Sequence, residues 1–353
     1  MIKKKKGLKF FPLLLLIFFV SIGFAFKNKE NNKKEISVLS LNIWQEGTKV
    51  NGGYDAIVNE ITRLKPDFVT LSEVRNYKKT RFCDRITQSL KEQGLDYYSF
   101  FSDDSGLLSR YPISDSLTIF PLKNDHGSIY KLKTTVEGIP FAVYTAHLDY
   151  LNCAYYLPRG YSGNTWIKLR KPVTDKAKIE KMNVASKRDD AIKNFINDAN
   201  QEFEKGATII LGGDFNEPSH MDWTEETKDL YDHNSLVYNW TVTSLLAENG
   251  YIDGYREMYP SPIKNPGFTY PSSNKDKPIK KLTWAPASDE RERIDFIFYK
   301  TPGTLSLKSI KIVGPNTSIK KSEVITEVTE DEFIEPLDVW PTDHKGLFAV
   351  FEL

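Results

Sequence analysis

Short apolar runs that each meet a polar residue at one end constrain this chain more than any other feature. VLSL ends on Asn42, VTLS on Glu73, VYTA on His147, and IILGG on Asp214 with Asn216 two residues on. RIDFIF carries Asp295, and GLFAVF is preceded by Asp343 and His344. Runs of this length bounded by Gly, Pro, Asn or Asp read as strands. If the pleat of IILGGDFN persists past Gly213, Asp214 and Asn216 share one face and Phe215 takes the other. Each polar terminus alone has an ordinary explanation: a turn former, a loop opening, a satisfied core histidine, or a surface pair such as Arg293 with Asp295. Independent turn formers are not expected to choose this whole set.

Between the strands, GGYDAIVNEITRLKP and TRFCDRITQSLKEQG read as helices. One long amphipathic helix is expected between about Asp175 and Lys205, with Ala191, Phe195, Ala199 and Phe203 at intervals of four. Another is expected near Trp240 to Asn249. The strands YYSFF, GLLSRYPI, SLTIF, SIYKLKTTV and FAVYTAHL follow one another closely enough to predict antiparallel pairing within a sheet. A steady βαβ beat is absent, so the expected α/β architecture is a two-sheet sandwich with helices on its outer faces. No repeat or Gly/Ser linker divides residues 36–353, which read as one domain.

The first 25 residues have a lysine-rich start, an apolar middle and small residues around Gly23 and Ala25, the layout of an export signal. Cleavage there would leave a periplasmic or secreted protein without a membrane span. The alternative is an uncleaved anchor, since the apolar stretch from Phe10 to Phe26 is near the lower limit for crossing a bilayer. Residues 26–35 read as a polar spacer. Removing residues 1–25 takes away five lysines and no acids, turning a formal charge of +1 into −4. A broad basic footprint for nucleic acid is therefore absent, although a local basic groove is not excluded. Cys83 and Cys153 are the only cysteines; in an oxidising compartment they form either one disulfide, stapling a loop to the body, or two reduced thiols.

The polar set has the chemistry of metal-assisted phosphoester cleavage. A hard cation wants oxygen ligands, which Glu73 and Asn42 can supply and to which Asp343 can contribute. An Asp, and a His with an acidic partner, are suited to align and deprotonate a water. Asn216 and His147 can donate to the phosphoryl oxygens. In their order along the chain, LSLNIW, TLSEV, GLLSRYPI, TAHLD, GGDFN, ERIDFIF and WPTDH resemble the endonuclease/exonuclease/phosphatase superfamily, whose fold is deoxyribonuclease I-like. The resemblance spans roughly residues 36 to 353. It implies a four-layered sandwich of two packed, mainly antiparallel mixed sheets flanked by helices, with the active site at one rim. It implies Asn42, Glu73 and Asp343 at a Mg²⁺ ion, for which Mn²⁺ would substitute, with Glu73 as principal ligand. His147 would stabilise the phosphate, Asp214 would align or deprotonate the water, and Asn216 would hold a phosphoryl oxygen. Asp295 would orient His344 as general base. Thr342 replaces the serine common in the family and keeps its hydroxyl. The carboxylate partner of His147 is left open among Asp149, Asp103 and Asp104.

Such a family hydrolyses many phosphoesters, so the substrate must be sought in the loops. Residues 149–171 form an insertion directly after His147, too long for an ordinary connection and rich in aromatic and basic residues. Tyr155, Tyr156 and Trp166 from this loop, and Trp284 from KLTWAPASDERER, are candidate walls for a ring-bearing ester, or else pack the loop against the body. Arg159, and Arg110 of the SRYPI motif, are candidate substrate contacts. The expected activity is hydrolysis of a compact phosphate ester of a sugar, an inositol or a lipid headgroup. A nuclease, with the aromatics stacking on bases, and a binding protein that has lost catalysis are the alternatives.

Overall fold

The computed structural model describes residues 34–303 and 305–353, together with Met1, Ile2 and Gly7. Apart from those three and residues 34–35, the expected signal and spacer lie outside the described residues. Among the described residues no helix is long and apolar enough to cross a membrane. The chain begins with β1 (Glu35–Asn42), α1 (Gly53–Leu64), β2 (Phe68–Val74), α2 (Phe82–Glu92), β3 (Tyr98–Ser99) and β4 (Asp104–Ser109). It continues through β5 (Asp115–Phe120), β6 (Gly127–Val136), β7 (Ile139–Leu148), α3 (Lys176–Asn183), α4 (Arg188–Glu204) and β8 (Thr208–Asp214). Next come α5 (Thr241–Glu248), β9 (Ile252–Asp253), α6 (Gly254–Met258), β10 (Asp295–Lys300) and β11 (Ser306–Val313). The hairpin β12 (Thr317–Lys320) and β13 (Glu323–Thr326), then β14 (Phe333–Ile334) and β15 (Gly346–Glu352), complete it.

Two mixed sheets face each other, ordered β14-β11-β15-β1-β2-β4-β3 and β5-β6-β7-β8-β10-β9. Most neighbours are antiparallel; β1 with β2, β11 with β14 and β7 with β8 are parallel. The strand alternation sorts the side chains into layers. Ile36 and Val38 of β1, Phe141 and Val143 of β7, and Ile210 of β8 fill the core between the sheets. Leu39 and Leu41 point the other way, onto Ile57 and Ile61 of α1 and Phe82 and Ile86 of α2. On the opposite side Tyr144, Ile209 and Leu211 pack against Phe195 of α4 and Leu246 of α5. The result is helices, sheet, sheet, helices: the four-layered α/β sandwich expected from the sequence.

Two local expectations are corrected. The single helix over 175–205 is two, because the chain breaks after Asn183 and restarts at Arg188. The break turns the Arg188 guanidinium inward, where it bonds Glu217, Asn183 and the carbonyls of Asp149, Leu151 and Asn152. Five acceptors for one buried cation outweigh a few helical hydrogen bonds. The run of strands from YYSFF to FAVYTAHL does not lie in one sheet: β3 and β4 belong to the first, β5 to β7 to the second.

Along the inner face toward one rim, apolar residues give way to polar ones. Val38 is followed by Ser40 and Asn42 in β1, Val143 by Thr145 and His147 in β7, and Ile210 by Gly212 and Asp214 in β8. Gly212 is required there, since a Cβ would lie 2.4 Å from Thr70 Oγ1 on the facing sheet.

Candidate active site

His147, Asp214 and Asp295 lie on one rung of the second sheet: Asp214 is paired with His147 on one side and with Asp295 on the other. All three follow the strand alternation and face the first sheet. Asn42, at the end of β1, reaches across to meet them. Its Nδ2 donates to Asp214 Oδ2 at 2.9 Å and to Glu73 Oε1 at 3.2 Å.

Glu73 does not follow the alternation. Phe68, Thr70 and Ser72 face inward, so Glu73 would point outward among Val69 and Leu71. Instead it adopts φ 69° inside a bulge between Ser72 and Val74. The extra residue lets Val74 take the outer face and turns the Glu73 carboxylate into the cleft. Asp104, opposite that bulge at the start of β4, likewise has φ 68°.

Asp104 is the carboxylate partner of His147: both its oxygens lie 2.9 Å from Nδ1. Burial alone would lower the His147 pKa, but the charge and hydrogen bond of Asp104 outweigh it and raise it to about 9. Arg75 closes the chain, bonding Asp104 at 2.9 Å and Asp125 at 2.7 Å. Asp149 instead bonds His126 at 3.1 Å, and Asp103 bonds Asn76.

A second such pair faces the first. His344 Nδ1 lies 2.9 Å from Asp295 Oδ2, and against its burial the charges of Asp295 and Asp214 raise His344 to about 10. The WPTDH loop is fixed by Trp340 Nε1 donating to the His344 carbonyl at 2.7 Å and by His344 N–H donating to Thr342 Oγ1. The two rings converge on one atom. Asp214 Oδ2 is 3.9 Å from Nε2 of His147 and 3.8 Å from Nε2 of His344. Burial and then the charge of Asp295 raise Asp214 to about 6, although both histidines oppose this.

Asn216 lines the cleft beside Asp214, while Phe215 is buried in the outer core. The arrangement arises differently from a continued pleat. Strand β8 stops at Asp214, whose Oδ1 accepts the Asn216 N–H at 2.9 Å, and Asn216 turns to φ 49°. The Asn216 amide donates to the Leu148 carbonyl at 2.9 Å. A side-chain turn, not strand periodicity, brings the two residues together.

Glu73 and Asp343 both line the cleft, and among the described residues neither makes an ion pair with a basic side chain. Burial, with Glu73 adding to it against the favourable charge of His344, raises Asp343 to about 7. Two carboxylates that face one space, neither tied up in an ion pair, fit a hard divalent ion. Asn42 does not fit as an oxygen ligand, because Oδ1 accepts from the Trp44 N–H at 2.9 Å and only Nδ2 faces the carboxylates. Asp214, Asp295 and His344 also cluster, with candidate ligand atoms within 4.8 Å of one another. There the imidazole is engaged by Asp295, so this cluster is better suited to holding a proton.

The aromatic candidates divide. Tyr155 and Tyr156 line the cleft floor but are buried in a small core with Trp223 and Trp240. Trp166 and Trp284 form a wall with ring centroids 4.5 Å apart, and Tyr150 lies parallel to Trp166 at 6.4 Å. The cleft they border has a volume of about 260 Å³. Arg159 does not reach it. Its guanidinium is buried against Glu292 at 2.6 Å and the carbonyls of Asp289 and Tyr155, so every nitrogen is occupied in latching the insertion to the body. Arg110 is exposed just past the far end of β4, six residues from Asp104 and so roughly 20 Å away. The basic group in the cleft is Arg75, which the sequence reading passed over although it stands two residues after Glu73. The cysteines form no staple: both are buried free thiols, Cys83 beside Ser102 and Cys153 donating to the Tyr150 carbonyl.

Residues 39–344 match the model of the Endonuclease/Exonuclease/phosphatase family. The chain belongs to that family. Its members are hydrolases that act on phosphoesters and use divalent metals. The family chain is 27% identical over 303 residues to an uncharacterized protein of Caenorhabditis elegans, covering 82% of this chain and 86% of that one. Among solved structures it resembles D. rerio TDP2 complexed with single strand DNA product, with TM-score 0.50 and 16% identity, covering 91% of this chain and all of that one. An endonuclease/exonuclease/phosphatase from Beutenbergia cavernae matches with the same TM-score and identity, over 91% of this chain and 72% of that one. These structural likenesses show the shared two-sheet fold.

Proposed function

We propose that this family member hydrolyses a compact phosphate ester in a divalent-metal-dependent reaction. The observation that carries the reading is the convergence of two histidine–carboxylate pairs and one shared aspartate on a small cleft walled by Trp166 and Trp284. A Mg²⁺ ion held by Glu73 and Asp343 would supply positive charge to a phosphate oxygen. His147 and His344, kept protonated by Asp104 and Asp295, direct Nε2–H donors at the phosphoryl group. Asp214 lies between those donors and takes the proton of the attacking water, for which a carboxyl raised to about 6 is suited. This reverses the expectation that His344 is the base, because its bond to Asp295 keeps its proton in place. Asn42 holds the Asp214 and Glu73 carboxylates in register.

The insertion supports a small ester over duplex nucleic acid, since Tyr150, Tyr155, Tyr156 and Trp166 from it line and narrow the cleft. The parallel faces of Tyr150 and Trp166 favour a second reading, a single nucleic-acid strand end stacked on them. The TDP2 structure with its single strand DNA product is in keeping with that alternative. Phosphate release from sugar, inositol and headgroup esters, compared with cleavage of plasmid and single-stranded DNA at the same Mg²⁺ concentration, separates them. Strongly salt-sensitive DNA cleavage with no turnover of any small ester would reject the compact ester. The lysine-rich, apolar N-terminus supports export, which N-terminal sequencing of the mature chain tests.

A further inference from the structure

Two donors on side chains that line the cleft have no partner. The Tyr270 hydroxyl and the Trp166 indole Nε1 are both buried atoms on cleft-lining side chains, and neither bonds any described residue. Tyr270 is 4% exposed. A buried donor left unpaired costs about 1–3 kcal/mol, and most buried polar atoms avoid that loss. The nearby Glu290 carboxylate is already engaged: it accepts from the Tyr156 hydroxyl and from the Trp284 and Ala285 amides.

We infer that Tyr270 Oη and Trp166 Nε1 read oxygen atoms on the alcohol part of the substrate, so that the cleft selects a hydroxyl-bearing ring phosphate. This rests on the compact-ester reading above and names its substrate class. The Tyr270 ring lies 4.9 Å from the His344 ring, which puts its side chain beside the reacting phosphate. Backbone bonds with Glu292 in both directions hold it there. Burial, then the charges of Glu290 and Asp343, push the phenol well above its ordinary range, so it remains a donor. The indole N–H can only donate. Trp166 and Trp284 present flat apolar faces next to that donor. A saturated ring with C–H groups on its face and oxygens on its rim matches both features, whereas an unsubstituted hydrocarbon ring would leave both donors unpaired. The cleft volume of about 260 Å³ is at the small end for ligand sites, which favours one ring over a nucleotide chain.

The test uses two probes with the same ring size, myo-inositol 1-phosphate and cyclohexyl phosphate, assayed with Mg²⁺ for kcat and KM and titrated by calorimetry. The wild type is expected to favour the inositol ester at least roughly tenfold in kcat/KM. Tyr270→Phe, which removes only a hydroxyl without a protein partner, should collapse that preference by raising KM for the inositol ester well beyond any change in KM for cyclohexyl phosphate. Trp166→Phe should reduce the preference in part. A wild-type ratio near one, or a ratio untouched by Tyr270→Phe, overturns the inference. Turnover of bis(4-nitrophenyl) phosphate or of a single-stranded oligonucleotide, with neither ring ester bound, also overturns it and leaves phosphoester hydrolysis standing. A folded protein inactive on every probe removes both.

Discussion

Asp104 of one sheet holds Nδ1 of His147 on the other, with 2.9 Å to each carboxylate oxygen. Two of the three contacts that build the site cross between sheets in the same way: this one and Asn42 with Asp214. The third, Asp295 with His344, ties the second sheet to the loop that enters β15 of the first. The geometry of the candidate site therefore depends on how closely the sheets pack.

Removing Asp104 should unsettle both chemistry and stability. His147 is raised from 6.5 to about 9, so the pair's contribution is complete below the unfolded pKa and is lost as pH rises through about 9. Asp104→Ala should cost about 3 kcal/mol near pH 6 and progressively less toward pH 10. Thermal unfolding of wild type and variant over that range measures the difference, and a constant gap would contradict the assignment.

Asp295 and His344 should act as one unit. Either single alanine variant is expected to lower kcat by about 10²-fold or more, and the double variant by little beyond that. A double-mutant cycle giving additive losses would show that the pair is not coupled.

Chelation should abolish turnover, and Mg²⁺ or Mn²⁺ should restore it. Glu73→Gln keeps the shape and the bond from Asn42 but removes the charge, so activity should fall steeply and the metal concentration for half-activity should rise. Full hydrolysis in metal-free buffer would rule out this role for Glu73.

Arg159→Ala should act on stability first, because it strands Glu292 without its cation. The expected loss is about 3–5 kcal/mol. Arg159→Met with Glu292→Gln should recover part of it, since the glutamine oxygen can still accept from Trp223 Nε1, now at 3.1 Å from the carboxylate. Denaturant unfolding of the wild type and the two variants checks the order.

Local chemistry in the sequence was enough to identify most of the strands and helices, though not β9, the β12–β13 hairpin or β14, and the polar strand ends Asn42, His147, Asp214 and Asp295, because apolar runs and their alternation are set by which face is buried. The four-layer arrangement followed from the ordered motifs. What the tertiary structure alone decided lies where the chain departs from local rules. Glu73 enters the cleft through a bulge that reverses its face, and Asp104 meets His147 only because β4 runs antiparallel to β2, bringing a strand beginning to the rim where strand endings were sought. The helix breaks before Arg188 for acceptors far along the chain, and Arg159 turns inward because Glu292, 133 residues away, is buried and needs a cation. Alternation and propensity act over a few residues. The charge and hydrogen-bond partners of a buried side chain are settled by packing between segments that are distant in sequence, and these four residues belong to that second class.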